Sequence, residues 1–220
     1  MNKTLKNISR PLVFSFFLSS FFSPVFAQNA KAISKMYLQM GAGVGTFSSI
    51  EGGVAATAII KNKTSISLSY HHLDMTPKNQ PSDYQAETGY VLFIPYTYQA
   101  TSIMDIVSVT AGKYYRIGKN IWGTSEGGLS YTKGEKINYQ NTQSVTSSII
   151  IATSITSNYT TTKETKSTVG VMLKSEINWA FASFMGLGAG VYGNFNAVQS
   201  PIVYQIKLLV GKMGKEKKHS

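Results

Sequence analysis

The chain has 220 residues and only 14% of them are charged, against about 25% in an ordinary soluble domain. Its 43% hydrophobic content is ordinary, so 19 glycines and many uncharged polar residues replace the missing charges, a composition that suits an exterior facing lipid. With no cysteine, a thiol nucleophile, a disulfide framework and a thiolate metal site are all excluded.

Residues 1–27 have the three parts of a cleavable secretory signal peptide. Lys3, Lys6 and Arg10 form a positive start, Leu12 to Phe22 is an apolar run of 11 residues, and Val25-Phe26-Ala27 supplies a cleavage site before Gln28. A membrane-spanning helix needs about 20 apolar residues, so the run is too short for an anchor. Removing the three leader charges takes the formal charge from +11 to +8. The remaining cations are scattered rather than interleaved with aromatics on one face, so no nucleic-acid partner is expected. The basic tail (Lys212, Lys215, Lys217 and Lys218) is the exception; it reads as a solvated end, or as a contact for anionic lipid or cell-wall polymer.

The mature chain alternates with the period of a strand. Met36–Phe47 sets Leu38, Met40, Ala42 and Val44 against Gln39, Gly41, Gly43 and Gly45. Gly53–Lys61 follows, then Thr64–Met75, where Ile66, Leu68 and Tyr70 alternate with Ser65, Ser67, Ser69 and His71. Asp105–Ile117 sets Val107, Val109 and Ala111 against Ser108, Thr110 and Gly112. Ile121–Ile137 is irregular, and its Gly127-Gly128 pair suggests a bulge. In Thr168–Phe181, Val169, Val171, Leu173, Ile177 and Trp179 face one way and Lys174, Glu176 and Asn178 the other. Phe184–Asn196 and Pro201–Met213 complete eight predicted strands of 9 to 17 residues. Strands that cross a membrane need about 9–11 residues, whereas soluble strands average about 5–6. The predicted fold is all-β: a closed antiparallel transmembrane β-barrel of about eight strands, occupying residues 28–220.

The connections support this topology. Asn62-Lys63, Gly118-Lys119-Asn120 and Ala182-Ser183 are tight turns, while the third and fifth links, near 76–104 and 138–167, are long. Short periplasmic turns and long external loops are the pattern of outer-membrane barrels. On the residues Gly112-Lys113-Tyr114-Tyr115-Arg116-Ile117-Gly118-Lys119-Asn120 and Gly186-Leu187-Gly188-Ala189-Gly190-Val191-Tyr192, the chain resembles the small single-domain outer-membrane β-barrel proteins of Gram-negative bacteria. The resemblance implies a location in the cell outer membrane, with outer-membrane lipid and lipopolysaccharide as surroundings, more than it implies an activity.

Two groups of residues are candidates for function. Counted from the turn-side ends of their strands, Glu126, Glu176 and Lys207 share a height, with Lys174 just above, so the four form an expected charge cluster in the lumen. Isolated buried charges are very costly, so these must pair, either as a structural core or as the lining of a narrow gated channel. In the external loops, Tyr84, Tyr90, Phe93 and Tyr96 are expected surface-binding residues. The apolar run from Tyr90 to Tyr96 either forms an exposed patch or packs over the barrel mouth. The Ser/Thr/Ile-rich stretch from Val145 to Thr162 is expected to rise as a hairpin whose free edge can pair with a partner.

Catalysis is not expected. Tyr70-His71-His72-Leu73-Asp74 offers a histidine for lipid A hydrolysis, but the serine that such deacylases place two residues after their histidine is replaced by Leu73 or Asp74. His71 should line the lumen and His72 should sit near the external rim, on opposite faces, so the pair cannot share a metal ion. No cofactor is implied. The expected function is an integral outer-membrane barrel acting through surface loops in adhesion, envelope integrity or binding of an extracellular protein. A narrow channel for small solutes is the alternative, and a lipid A-modifying hydrolase the third reading.

Overall fold

The two-residue period produces eight long strands, and these close on themselves. A computed structural model describes residues 32–91, 94–142, 146–149, 152–155 and 157–213. The leader at 1–27, Phe93, Val145 and the tail lysines Lys215, Lys217 and Lys218 lie outside the described residues. The barrel strands are β1 (Ile33–Gly45), β2 (Ser49–Ile60), β3 (Thr64–Met75), β6 (Ser102–Arg116), β7 (Ile121–Asn141), β10 (Tyr159–Ala180), β11 (Met185–Phe195) and β12 (Ile202–Lys212). They close in the order β1-β12-β11-β10-β7-β6-β3-β2. Between them lie four short strands, β4 (Glu87–Val91), β5 (Ile94–Tyr98), β8 (Thr146–Ile149) and β9 (Ala152–Ile155).

One end of the barrel is built from tight turns. The link from β2 to β3 places Lys61 and Asn62 at φ 50 and 51, and the Lys63 amide donates to the Ile60 carbonyl at 3.0 Å. Two positive φ values in a two-residue loop match the twist of the flanking strands. At the other end β7 and β10 run on together, paired from Trp179↔Ile121 out to Tyr159↔Asn141. This ribbon rises beyond the ring.

Gly127-Gly128 does not form the bulge that the broken alternation suggests. The β6–β7 ladder runs without a shift from Met104↔Gly134 to Arg116↔Trp122, and β7–β10 is equally regular. The glycines serve close approach instead. A Cβ on Gly128 would stand 2.0 Å from the Val109 carbonyl oxygen, and one on Gly112 1.9 Å from that of Ser125. The register shift that does occur lies between Ile33 and Lys35, where β1 meets β2.

Side chains divide by parity between an outer and an inner face. The outer face carries exposed Leu38, Val109, Leu129, Leu173, Ile177 and Ile206. On β6 it holds no charge between Asp105 and Lys113, and on β12 none before Lys212. The inner face is buried and carries Gln39, Thr57, Ser67, Thr110, Glu126 and Glu176 among its polar groups.

Candidate functional site

The barrel interior is filled in three layers. At the tight-turn end, Tyr37, Ile59, Trp122, Ala180, Leu209 and Met213 pack together, with the Trp122 and Tyr37 rings edge-on at 5.8 Å. At the loop end, Leu73, Met75, Met104, Ile106, Met172 and Val203 form a second apolar layer with Tyr192. The charged side chains lie between these two, while buried hydroxyls also line the apolar layers, with Ser102 opposite Met75 and Thr132 opposite Ile106.

That middle layer brings together the four expected charges. Lys174 Nζ lies 3.1 Å from Glu126 Oε2 and 3.7 Å from Glu176 Oε1, and Lys207 Nζ lies 2.5 Å from Glu176 Oε1. Neutral groups complete the shell. Gln39 Nε2 donates to Glu176 Oε2 at 2.9 Å, and the Thr110 and Ser67 hydroxyls donate to the two Glu126 oxygens at 2.5 and 3.1 Å. Every formal charge in this cluster has an opposite charge within 4 Å, as a low-dielectric interior demands.

A third carboxylate, Glu51, extends the network. Its Oε1 lies 2.8 Å from His71 Nδ1, and His71 Nε2 lies 3.1 Å from Ser69 Oγ. Glu51 lies just outside the strand that the sequence predicts over Gly53–Lys61. In fact β2 begins at Ser49, which carries Glu51 onto the inner face. Ser69, His71 and Glu51 reproduce the order of a nucleophile, base and orienting acid. Yet all three are at most 5% exposed, and Ser69 Oγ is also within 2.7 Å of Ser108 Oγ. The trio is enclosed in the lumen, with the His71 ring 4.5 Å from that of Tyr192. His72 points the other way, to Asp105 at 2.7 Å on the outer rim.

The lumen packs its ion pairs between two apolar clusters. Purified protein in planar lipid bilayers is therefore expected to give no sustained opening of general-porin size, since eight strands leave an interior that side chains fill. Stable large conductance would contradict the layered interior.

Above the loop end, the two long connections join each other. β4 pairs with β5 and also with β9, giving a four-stranded sheet in the order β5-β4-β9-β8. The hairpin expected within the second loop thus exists as β8–β9, but one of its edges is occupied by the first loop. The register sets Ile94, Tyr96 and Tyr98 on one face and Tyr90, opposite Pro95, on the other. Ile94 is 69% exposed and Tyr98 60%, so this segment stands away from the barrel mouth. Pro95 lies in β5, an outer strand, where a missing N–H costs no ladder bond.

The expected surface tyrosines therefore divide into two roles. Tyr90 is exposed and Tyr96 half-buried on the sheet. Tyr84 lies lower, edge-on to Tyr139 at 5.4 Å and 6.2 Å from Tyr159, and its hydroxyl accepts from the Ala100 amide. Asp83 accepts from the Tyr159 hydroxyl at 2.8 Å, and the Asn158 side chain accepts from the Gln85 amide while donating to the Asp83 carbonyl. Burial pushes the Tyr139 phenol up to about 12, so it stays neutral. These contacts tie the first loop to the β7–β10 ribbon and fix the base of the sheet. Nothing in the sequence announces them, because the partners are about 75 residues apart.

The ring has the architecture of known small outer-membrane barrels. The N-terminal β-barrel domain of Pseudomonas aeruginosa OprF superposes with a TM-score of 0.50 at 8% identity, covering 82% of this chain and 98% of that one. Neisserial surface protein A gives a TM-score of 0.46 at 9% identity, covering 80% and 94%. Ail, the attachment invasion locus protein of Yersinia pestis, gives 0.41 at 10% identity, covering 82% and 95%. No protein-family model and no curated protein matches the sequence. At such identities the likeness to OprF shows the fold alone: this chain is a closed, eight-stranded antiparallel β-barrel of the outer-membrane kind.

Proposed function

We propose that this chain is exported by its leader into the outer membrane of a Gram-negative cell and acts there through the sheet its two long loops build. The observation that carries this reading is the pairing of β4 with β9. Ordering two long loops costs conformational entropy, and here that ordering presents Ile94 and Tyr98 to solvent rather than to the barrel. A braced sheet with exposed aromatic and aliphatic side chains has the makings of a protein-binding surface. Among the described residues β5 and β8 are the outer strands of this sheet, and an outer strand offers backbone groups that an extended segment of a partner can use. The layered interior weighs against solute transport, and the enclosed Ser69 weighs against lipid A hydrolysis.

The test is adhesion of cells displaying the protein to immobilised extracellular-matrix proteins. Ile94→Ser combined with Tyr98→Ser should abolish most adhesion while leaving the amount of heat-modifiable protein at the surface unchanged. Adhesion equal to that of the unaltered protein would contradict a role for this face.

A further inference from the structure

The exposed charges of the ring are sorted by end. Around the tight turns, Lys61 and Lys63 flank the β2–β3 link, Lys113, Arg116 and Lys119 crowd the β6–β7 link, and Lys35 and Lys212 stand where β1 and β12 meet. Among the described residues this end has seven cations and no carboxylate. The described acids outside the lumen, Asp74, Asp83, Glu87, Asp105, Glu135 and Glu164, all lie toward the loop end, where five lysines accompany them. One end of the barrel is therefore strongly positive and the other nearly balanced.

The positive rim also sits at a defined height. Tyr115, Trp179, Phe181 and Phe184 are exposed on the outside near the same turns, as interfacial aromatics are at the border of a hydrocarbon layer. Lys113, between Ala111 and Tyr115, and Lys212, next after Val210, occupy outward positions on the barrel wall. Lysines so placed extend their ammonium groups into the headgroup region while their stems stay in hydrocarbon. A ring of cations at that level, with no acid beside it among the described residues, attracts phosphate groups.

We propose that the turn-side rim is a binding surface for the headgroups of anionic phospholipids, with Lys61, Lys63, Lys113, Lys119 and Lys212 as its contacts. The inference rests on the membrane-spanning reading above and adds a lipid preference confined to one leaflet. An anionic cell-wall polymer is the rival partner. Lipid is favoured because Lys113 and Lys212 project sideways from the barrel wall rather than from its end.

Tryptophan quenching tests this with a built-in reporter. Trp179 is half exposed on the lipid side at the rim, whereas Trp122 is 1% exposed inside the barrel. The full chain is folded into bilayers mixing phosphatidylcholine with phosphatidylglycerol, one of the two carrying brominated acyl chains. Phosphatidylglycerol should reach Trp179 in preference by about fivefold, the ratio for one kilocalorie-scale contact between a cation and an anionic surface. The preference should approach unity in 1 M salt, where charges are screened beyond about 3 Å. It should also vanish in K61Q/K63Q/K113Q/K119Q/K212Q, whose folding is checked by heat-dependent gel migration. Quenching by neither brominated lipid would overturn the membrane-spanning reading itself. Equal quenching by both would leave that reading standing and overturn this one, as would a preference that survives in the five-site variant. Loss of sacculus binding in that variant, without any lipid preference in the unaltered protein, would assign the rim to the polymer instead.

Discussion

Glu176→Gln is expected to destabilise the folded barrel by about 3–5 kcal/mol, the cost of breaking a buried ion pair from one side. Glu176 is enclosed, and its Oε1 holds Lys207 Nζ at 2.5 Å. Without the carboxylate, Lys207 loses its counter-charge and faces neutral acceptors such as Gln39 Oε1, 3.4 Å away. Exchanging both partners for uncharged groups of similar shape can be nearly neutral, so Glu176→Gln with Lys207→Met should recover most of the loss. Position along the chain nominates Lys174, two residues from Glu176, as the partner. The geometry assigns Lys174 to Glu126, at 3.1 Å against 3.7 Å to Glu176. Glu176→Gln with Lys174→Met should therefore recover much less, because it also strips Glu126 of its cation. Urea unfolding in lipid, read as a double-mutant cycle, separates the two pairs. A loss below about 0.5 kcal/mol for Glu176→Gln, the scale of an exposed change, would rule out a buried cluster.

The second large effect belongs to the outer face. Leu173 lies on β10 opposite Gly127 and Gly193, near the middle of the uncharged band, and is 52% exposed. On a soluble sandwich, Leu173→Arg would fall within about 0.5 kcal/mol of neutral. On a lipid-facing surface it should cost about 2–4 kcal/mol, with the penalty falling to about 0–1 kcal/mol near the interfaces. Tyr131→Arg, two residues from Lys133 at the upper border, should therefore cost far less than Leu173→Arg. Equilibrium unfolding in phospholipid vesicles reads both. Equal and small effects at the two positions would remove lipid from that face.

The ring was legible in the sequence because lipid and packed lumen impose opposite demands on neighbouring residues. That contrast leaves a period of two even through glycine-rich stretches such as Gly186 to Gly190. Counting from the tight turns also placed Glu126, Lys174, Glu176 and Lys207 at one height, since register in a closed ring is set at those turns. The two apolar layers were harder to see. Leu73, Met104, Ile106 and Val203 are inward residues that read as lipid-facing type, and only continuous register assigns them to the lumen. In the upper sheet the β8–β9 hairpin is legible from its Ser/Thr/Ile-rich stretch, but its joining to the first loop leaves no local signal. The sheet's central pairing joins Tyr90 to Thr153, and long-range strand pairing depends on how the ribbon and Tyr84 hold the loops. Glu51 escapes the sequence because the predicted strand starts two residues after it, at Gly53, whereas β2 starts at Ser49.

The membrane-spanning topology can be tested directly because the chain has no native cysteine. Single cysteines at Thr88, Asn62 and Leu173 report on the upper sheet, a tight turn and the outer band. Intact cells are treated with a membrane-impermeant maleimide, then again after permeabilisation, and in parallel with a lipid-soluble thiol reagent. The expected result is labelling of Thr88→Cys from outside, of Asn62→Cys only after permeabilisation, and of Leu173→Cys only by the lipid-soluble reagent. Labelling of Leu173→Cys by the impermeant maleimide, or of Asn62→Cys in intact cells, would contradict a barrel that spans the membrane with its loop sheet outside.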